Sequence, residues 1–133
     1  MGDCYFIAGI IAFAERSSRF KKLFVIQEAN DSGVIAFNVY VRGMPIVVTI
    51  DDLLPFVDSN GISTPMFANI GMDGGLNGPL LEKLWAKLSG TYERTAAGWQ
   101  HEALHVLTGA PSYDYLTSSY TSQQIWDIIS AAD

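Results

Sequence analysis

Apolar and polar positions follow a helical pattern at the start of the chain. Nearly every residue from Tyr5 to Ala14 is apolar, which predicts a helix over Asp3 to Arg16 that is buried on most of its sides. The next stretch, Arg19 to Gln27, mixes basic and large apolar residues and fits either a short helix or an edge segment.

Two runs of β-branched and aromatic residues predict an antiparallel hairpin. Residues Val34 to Val41 and Met44 to Ile50 are apolar on both faces, and Arg42-Gly43 separates them. Loop-forming residues precede the hairpin at Asn30 to Gly33. After it, Val57 to Gly78 is rich in Gly, Asn, Ser, Pro and Asp and is predicted to be a long surface excursion.

Three further helices are predicted in the second half of the chain. The first runs from Pro79 to Leu88 with Asn77 as its cap, and the second covers Gln100 to Leu107. The third begins at Thr121, which pairs with Gln124 in a capping box. In the first of these helices the apolar residues share one face, and the polar face carries Glu82, Lys83 and Lys87. Helices together with a small antiparallel sheet indicate an α+β fold.

Composition excludes several classes of function. The 133 residues are 49% hydrophobic and carry a net charge of −6, so no positive field attracts nucleic acid or an anionic lipid surface. The longest apolar run has ten residues, about half of the roughly 20 that a transmembrane helix needs. The first residues carry no positive charge, unlike a signal peptide. Because Cys4 is the one cysteine, no disulfide framework forms, and a reducing, cytoplasmic location is expected.

Cys4 is the first candidate for chemistry, because it lies at the predicted start of the first helix. There the unpaired N–H groups and the positive end of the helix macrodipole favour the nucleophilic thiolate. The N–H of a cysteine in this position can also point at an oxyanion, as in papain-like cysteine proteases. The alternative interpretation is a structural cysteine in the core.

The segment from His101 to His105 matches the H-E-x-x-H motif. On a helix the two histidines share a face and can reach one zinc ion, while Glu102 is placed to act as base for the bound water. A catalytic zinc needs a third protein ligand. The extended motif requires Gly and His where this chain has Thr108 and Pro111. A solvated helix face with two ordinary histidines is the alternative interpretation.

Four segments, taken together, resemble the calpain family of cysteine endopeptidases. The nucleophile segment of that family resembles Gly2 to Ala8, with Tyr5 where the family usually has Trp. The segment Ile50 to Pro55 is similar to the family's strand-ending aspartate pair, and Leu80 to Glu93 is similar to the following helix with its Gly-Ser-Tyr-Glu stretch. The segment Gly98 to Gly109 is similar to the one that ends in Phe-Thr-Gly. Their order and spacing agree over nearly the whole chain.

The resemblance implies a papain-like cysteine protease fold of the α+β class. Residues 1–98 would form a helical lobe that carries the nucleophile and a small antiparallel hairpin, and residues 99–133 would begin the second lobe. Cys4 would be the nucleophile, its backbone N–H an oxyanion donor, and Gly98 a backbone contact for the substrate. The H-E-x-x-H segment would lie on a helix that the family possesses for structural reasons.

The resemblance also implies partners and a cofactor. A protein or peptide would be the substrate, a second protease lobe or larger assembly the partner, and calcium the regulator. Gly75 falls where the family has an acidic calcium ligand, which leaves Asp73 as the substitute. The segment Asp58 to Gly61 is predicted to be a turn rather than a calcium loop, because its glycine is in the wrong position. An intracellular location is implied, and association with the cytoskeleton agrees with it.

The general-base His and orienting Asn of the family would lie beyond Asp133. The chain is therefore expected to be part of a larger catalytic unit and to be inactive by itself. A non-catalytic calpain-like scaffold or binding module is the alternative from another functional class. A zinc peptidase that uses His101, His105 and Glu102 is the third hypothesis.

Overall fold

The computed structural model describes residues 2–26, 28 and 30–132, and this part of the chain contains five α-helices and four strands. The helices are α1 (Cys4–Ala14), α2 (Ser17–Lys21), α3 (Asn77–Ser89), α4 (Gln100–Thr108) and α5 (Ser122–Ala131). The strands are β1 (Val34–Val41), β2 (Met44–Asp51), β3 (Phe56–Ser59) and β4 (Ile62–Pro65). Together they form an α+β fold, as predicted.

The predicted hairpin is confirmed. Strands β1 and β2 pair antiparallel with Val34 opposite Asp51 and Val41 opposite Met44. Arg42 and Gly43 connect them with φ values of 52° and 76°, the left-handed backbone that a two-residue hairpin turn requires. Phe37 and Val39, on one face of β1, belong to the core, and Ala36, on the opposite face, is also buried.

A second hairpin, β3 with β4, lies inside the stretch predicted as a surface excursion. Its residues lie at the surface as predicted, but the two strands were not predicted. Asn60 and Gly61 form its turn with φ values of 53° and 78°. Both strands have only four residues and bury none of them fully. The sequence therefore lacks the alternation of buried and exposed positions that predicts a strand. The Asn-Gly pair was the available signal.

Helix α1 is less buried than predicted. Phe6, Gly9 and Ile10 are buried, whereas Ile11 is 68% exposed. The buried face packs against α3 and α4, and the opposite face borders an open cavity beside Cys4. The continuous apolar run therefore forms one packed helix face and one wall of the cavity. The prediction of a helix that is buried on most of its sides is wrong.

The segment after α1 combines both predicted alternatives. It forms the short helix α2, and then Phe24 makes a bridge to Phe37 along the edge of β1. Val25 N–H donates to the Ala36 carbonyl at 2.8 Å. The predicted end of this segment at Gln27 lies outside the described residues.

The helix boundaries in the second half largely match the prediction. The capping box of α5 is confirmed, since Thr121 Oγ1 accepts from Gln124 N and Gln124 Oε1 accepts from Thr121 N. Asn77 is not the cap of α3, because Leu76 occupies that position and no side chain caps the helix. None of the helices in the described part is long and apolar enough to cross a membrane.

The core joins α1, α3, α4 and the β1–β2 hairpin. Its buried side chains come from all of these elements; they include Phe6, Ile10, Phe37, Val39, Ile50, Leu80, Leu81, Leu84, Ala103 and Leu107. Helix α5 contributes no buried residue. The boundary proposed at Gly98 remains a prediction, although Ala103 and Leu107, which follow it, pack in the same core as Phe6.

Gly9 sets the closest approach between α1 and α4. A Cβ atom at Gly9 would lie 2.7 Å from the Cβ of Ala103, which is closer than two carbon atoms can pack. We expect Gly9→Leu to destabilise the protein by about 1–2 kcal/mol, since overpacking outweighs the better helix propensity of leucine. Urea unfolding measures this difference. Ala12→Leu, on the exposed face of the same helix, is the control, and an equal effect of both substitutions would contradict the packing argument.

Candidate active site

Cys4 is the first residue of α1, and its side chain is exposed. Asp3 is the N-cap residue, and its carbonyl accepts hydrogen bonds from Phe6 N at 2.9 Å and Ile7 N at 3.2 Å. The N–H of the first helical residue has no intrahelical partner. The predicted position of Cys4 at a helix N-terminus is therefore confirmed, and its thiol is exposed there.

A cavity of about 390 Å³ lies beside Cys4. One wall is the exposed face of α1 with Ile7, Ala8 and Ile11, and the other is the segment Met66 to Ala68 that follows β4. Neither His101 nor His105 lines this cavity. The site thus offers an exposed thiol in an open, mostly apolar cavity, without a histidine of this chain in its lining.

Tyr5 and Phe6, which follow the cysteine, attach the start of α1 to Trp85 of α3. The Phe6 ring stacks on Trp85 with centroids 4.9 Å apart and planes 7° apart. The Tyr5 hydroxyl accepts a hydrogen bond from Trp85 Nε1 at 2.9 Å and donates one to the Thr95 carbonyl at 3.1 Å. This network fixes the direction of the first turn and hence the position of Cys4.

Removing the Tyr5 hydroxyl tests this network. We expect Tyr5→Phe to lower the free energy of unfolding by about 1–2 kcal/mol, because the Trp85 N–H loses its acceptor in a partly buried position. Tyr113→Phe is the matched control, since Tyr113 is 74% exposed. Chemical unfolding measures the free energy of unfolding of both variants. An equal loss in Tyr5→Phe and Tyr113→Phe would contradict the account.

Gly98 packs directly on Tyr5. A Cβ atom at Gly98 would lie 2.5 Å from Tyr5 Cζ and 2.7 Å from Glu102 Oε2, so the backbone passes where no side chain fits. The structure thus places Gly98 against Tyr5, the residue that follows Cys4. Its role as a substrate contact remains a prediction.

Two buried carboxyl groups border the same cavity, and the sequence did not reveal them. Asp3 is 4% exposed and Glu82 is 3% exposed, so the prediction that Glu82 lies on a polar helix face is wrong. Glu82 Oε2 accepts from Ala68 N at 2.8 Å. Burial, and then the neighbouring Asp3 carboxyl, raise the pKa of Glu82 from 4.5 to about 7. Burial, followed by the charges of Glu82 and Asp51, raises the pKa of Tyr92 to about 12.

A lysine joins the end of β2 to α3. Lys83 Nζ donates to Asp51 Oδ1 at 2.5 Å, and Leu53 N donates to the same carboxylate oxygen at 3.0 Å. The hydrogen bond from Lys83, followed by the backbone contact, lowers the pKa of Asp51. This contact positions α3, which carries both Glu82 and Trp85, relative to the hairpin.

The histidines of the H-E-x-x-H segment have other partners. His101 Nδ1 lies 2.9 Å from Asp114 Oδ1, and His105 Nδ1 lies 2.9 Å from the Ala110 carbonyl. Glu102 accepts from Trp99 N at 2.8 Å and so caps its own helix. Among residues 2–26, 28 and 30–132, no three His, Cys, Asp or Glu side chains form a group that would hold a metal ion. The third zinc ligand that the motif requires does not appear in this part of the chain.

The residues around Asp73 do not fit a calcium site as they stand. Asp73 Oδ1 accepts from Gly75 N at 2.9 Å and closes a local turn. Calcium takes six to eight oxygen ligands, and Asp73 brings a single carboxylate to this turn. The segment Asp58 to Gly61 forms the end and turn of the second hairpin.

The whole chain matches a known protein family. Residues 1–133 match the calpain family cysteine protease model. The chain is 34% identical over 109 residues to calpain-type cysteine protease DEK1 of Zea mays, an alignment that covers 82% of this chain and 5% of that protein. It is 29% identical over 132 residues to human calpain-14, with 97% of this chain and 19% of calpain-14 covered.

The chain belongs to the calpain family of cysteine proteases. It is also 30% identical over 118 residues to calpain-A of Drosophila melanogaster, covering 86% of this chain and 14% of that relative. The resemblance found in the sequence is thereby confirmed at the level of the family and the protease-core fold. The chain spans about 5 to 19% of the length of these three relatives.

Proposed function

We propose that Cys4 is the nucleophile of a calpain-type cysteine endopeptidase. The observation that carries this proposal is the placement of an exposed thiol on the first residue of α1, beside a cavity, in a chain that matches the calpain family throughout. Protein or peptide chains are the proposed substrates, as the membership in a protease family suggests.

We propose two tasks for Cys4 in acyl transfer. Its thiolate adds to the scissile carbonyl carbon, and the carbonyl oxygen takes up the negative charge as a tetrahedral intermediate forms. The Cys4 N–H at the helix N-terminus donates to that oxyanion. The C–N bond then breaks, the amine leaves with a proton from a general acid, and water hydrolyses the thioester.

The general acid and base must come from another part of the catalytic unit. Both histidines of the chain lie on α4, where their Nδ1 atoms pair with Asp114 and Ala110. We propose that a second lobe, begun by residues 99–133 after a first lobe of residues 1–98, brings the histidine to Cys4. The isolated chain is therefore proposed to be inactive, and a cytoplasmic setting is proposed for the whole unit. Calcium regulation would need ligands beyond those around Asp73.

A non-catalytic calpain-like scaffold is the second candidate, and the surface of the C-terminal part agrees with it. The large apolar side chains Tyr113, Leu116, Trp126 and Ile129 are 59 to 74% exposed, as is typical of interaction surfaces. Such a surface suits a second lobe as well as a partner protein. Of these two, only a second protease lobe would complete an enzyme.

Cleavage of an unfolded protein substrate separates the two candidates. We expect the complete natural protein to produce new internal peptide ends, detected by mass spectrometry, whereas residues 1–133 alone produce none. Cleavage must depend on Cys4 if the proposal holds. A complete protein that cleaves nothing under conditions in which it binds partners would support the scaffold instead.

A further inference from the structure

Asp3 and Glu82 form a buried acid pair immediately next to the nucleophile. Asp3 precedes Cys4 as the N-cap of α1, Glu82 lies on α3, and both line the cavity that Cys4 borders. Their relative exposures are 4% and 3%. Two carboxylates in such a place repel each other and lose hydration together, which makes double ionisation costly.

The hydrogen bonds of this pair are incomplete unless one group carries a proton. Glu82 Oε2 has a donor in Ala68 N, but the buried Asp3 Oδ2 has no hydrogen-bond partner. An ionised carboxylate accepts hydrogen bonds and donates none. A proton on Glu82 would supply the donor that Asp3 lacks, and the pair would then satisfy itself.

We propose that Asp3 and Glu82 share one proton, and that the resulting pair is a positioning device that holds the Cys4 turn against the Met66 to Ala68 wall of the cavity. The proposal rests on the proposed role of Cys4 as nucleophile. Glu82 is its central member, because it contacts Asp3 on one side and the backbone of Ala68 on the other. A change in its protonation therefore acts on both walls of the site.

The surroundings of the pair leave few competing charges. The titratable group of α1 that borders the same cavity as the pair is Cys4. After α3, Tyr92 borders a second, smaller cavity together with Glu82. Among the described residues, no lysine or arginine lines either cavity. The Ala68 N–H favours ionisation of Glu82, whereas burial and Asp3 oppose it more strongly. Loss of the shared proton near neutral pH then places a second negative charge beside the thiol.

Alkylation of Cys4 by iodoacetamide tests the pair without needing a substrate or a general base. Cys4 is the one cysteine of the chain, so every adduct reports on it, and the reagent is uncharged. We expect the ratio of the wild-type to the Glu82→Gln rate constant to fall about three- to tenfold between pH 5.5 and 8.5, since only the wild type gains the second charge. Glutamine retains an acceptor for Ala68 N–H and a donor for Asp3.

Two further variants complete the experiment. Glu93→Gln is the matched control, because Glu93 is exposed. The ratio of the wild-type to the Glu93→Gln alkylation rate constant should not change with pH. In Asp3→Asn the carbon NMR signal of the Glu82 carboxyl should titrate at lower pH than in the wild type. The proposed pair is overturned if the ratio of the wild-type to the Glu82→Gln alkylation rate constant stays constant between pH 5.5 and 8.5. It is also overturned if Asp3→Asn does not change the pH at which Glu82 titrates. Neither result bears on whether the complete protein needs Cys4 for cleavage, so the two proposals fail separately.

Discussion

Replacing Cys4 by alanine in the complete natural protein is expected to lower kcat for peptide cleavage by roughly 10⁴-fold or more, the usual loss when a catalytic nucleophile is removed. The KM should change little, because Cys4 contributes a small, exposed side chain to the cavity. Initial rates of hydrolysis of a fluorogenic peptide measure both constants.

Controls separate a chemical effect from an effect on folding. Cys4→Ser keeps the shape of the side chain and should be nearly as inactive as Cys4→Ala, since serine lacks the easily formed thiolate. Ser18→Ala, on the exposed surface of α2, should retain full activity. Equal activity of Cys4→Ala and wild type, with both folded, would refute the assignment of the nucleophile.

Stability is expected to fall as the pH rises from about 5 to about 8. The pKa of Glu82 is raised from 4.5 to about 7 in the folded chain, first by burial and then by Asp3. Between these two values the native state holds a proton that the unfolded state has lost, so the free energy of unfolding decreases with increasing pH. The contribution is fully present below about pH 4.5 and is lost once the pH exceeds about 7. Its size is about 3 kcal/mol.

Urea unfolding of wild type and Glu82→Gln between pH 5 and 8 measures this contribution. The glutamine variant should show a much flatter profile and should equal or exceed wild-type stability at pH 8. Asp51 acts in the opposite direction because Lys83 lowers its pKa, and the stability it confers is lost as the pH falls through the acidic range. Restricting the titration to pH 5 to 8 keeps the two effects apart. Parallel profiles for the two proteins would contradict the burial of an acid pair.

The parts of the fold that the sequence predicted have strong local signals. Helices α3 and α4 repeat apolar residues at helical spacing, and α5 begins with the Thr121 and Gln124 capping box. The β1–β2 hairpin has long apolar strands around Arg42-Gly43. In each case neighbouring residues contain the information, and no distant contact is needed to interpret it.

The parts that the sequence did not predict depend on contacts between distant segments. Glu82 has the spacing of a solvated helix position, and its burial arises only when the Asp3 turn and the Ala68 backbone close over it. The role of Tyr5 as a bridge between Trp85 and Thr95 likewise needs three separated segments. The β3–β4 hairpin was missed because its four-residue strands bury no residue fully.

The position of Cys4 could be predicted because the start of a helix is a local feature of the sequence. The H-E-x-x-H motif is local as well, whereas a metal site depends on the tertiary fold. Its histidines pair with Asp114 and Ala110, and Glu102 caps the helix. Zinc binding needs a third ligand brought by the tertiary fold, which the described residues do not provide.

The most direct test of the central claim is covalent trapping in the complete protein. A peptide with an electrophilic carbonyl-derived group, which reacts only with an activated thiolate, is incubated with the enzyme, and the adduct is located by mass spectrometry. The account predicts one adduct per molecule on Cys4, with peptidase activity lost in proportion to labelling. Full peptidase activity after complete modification of Cys4 would contradict it.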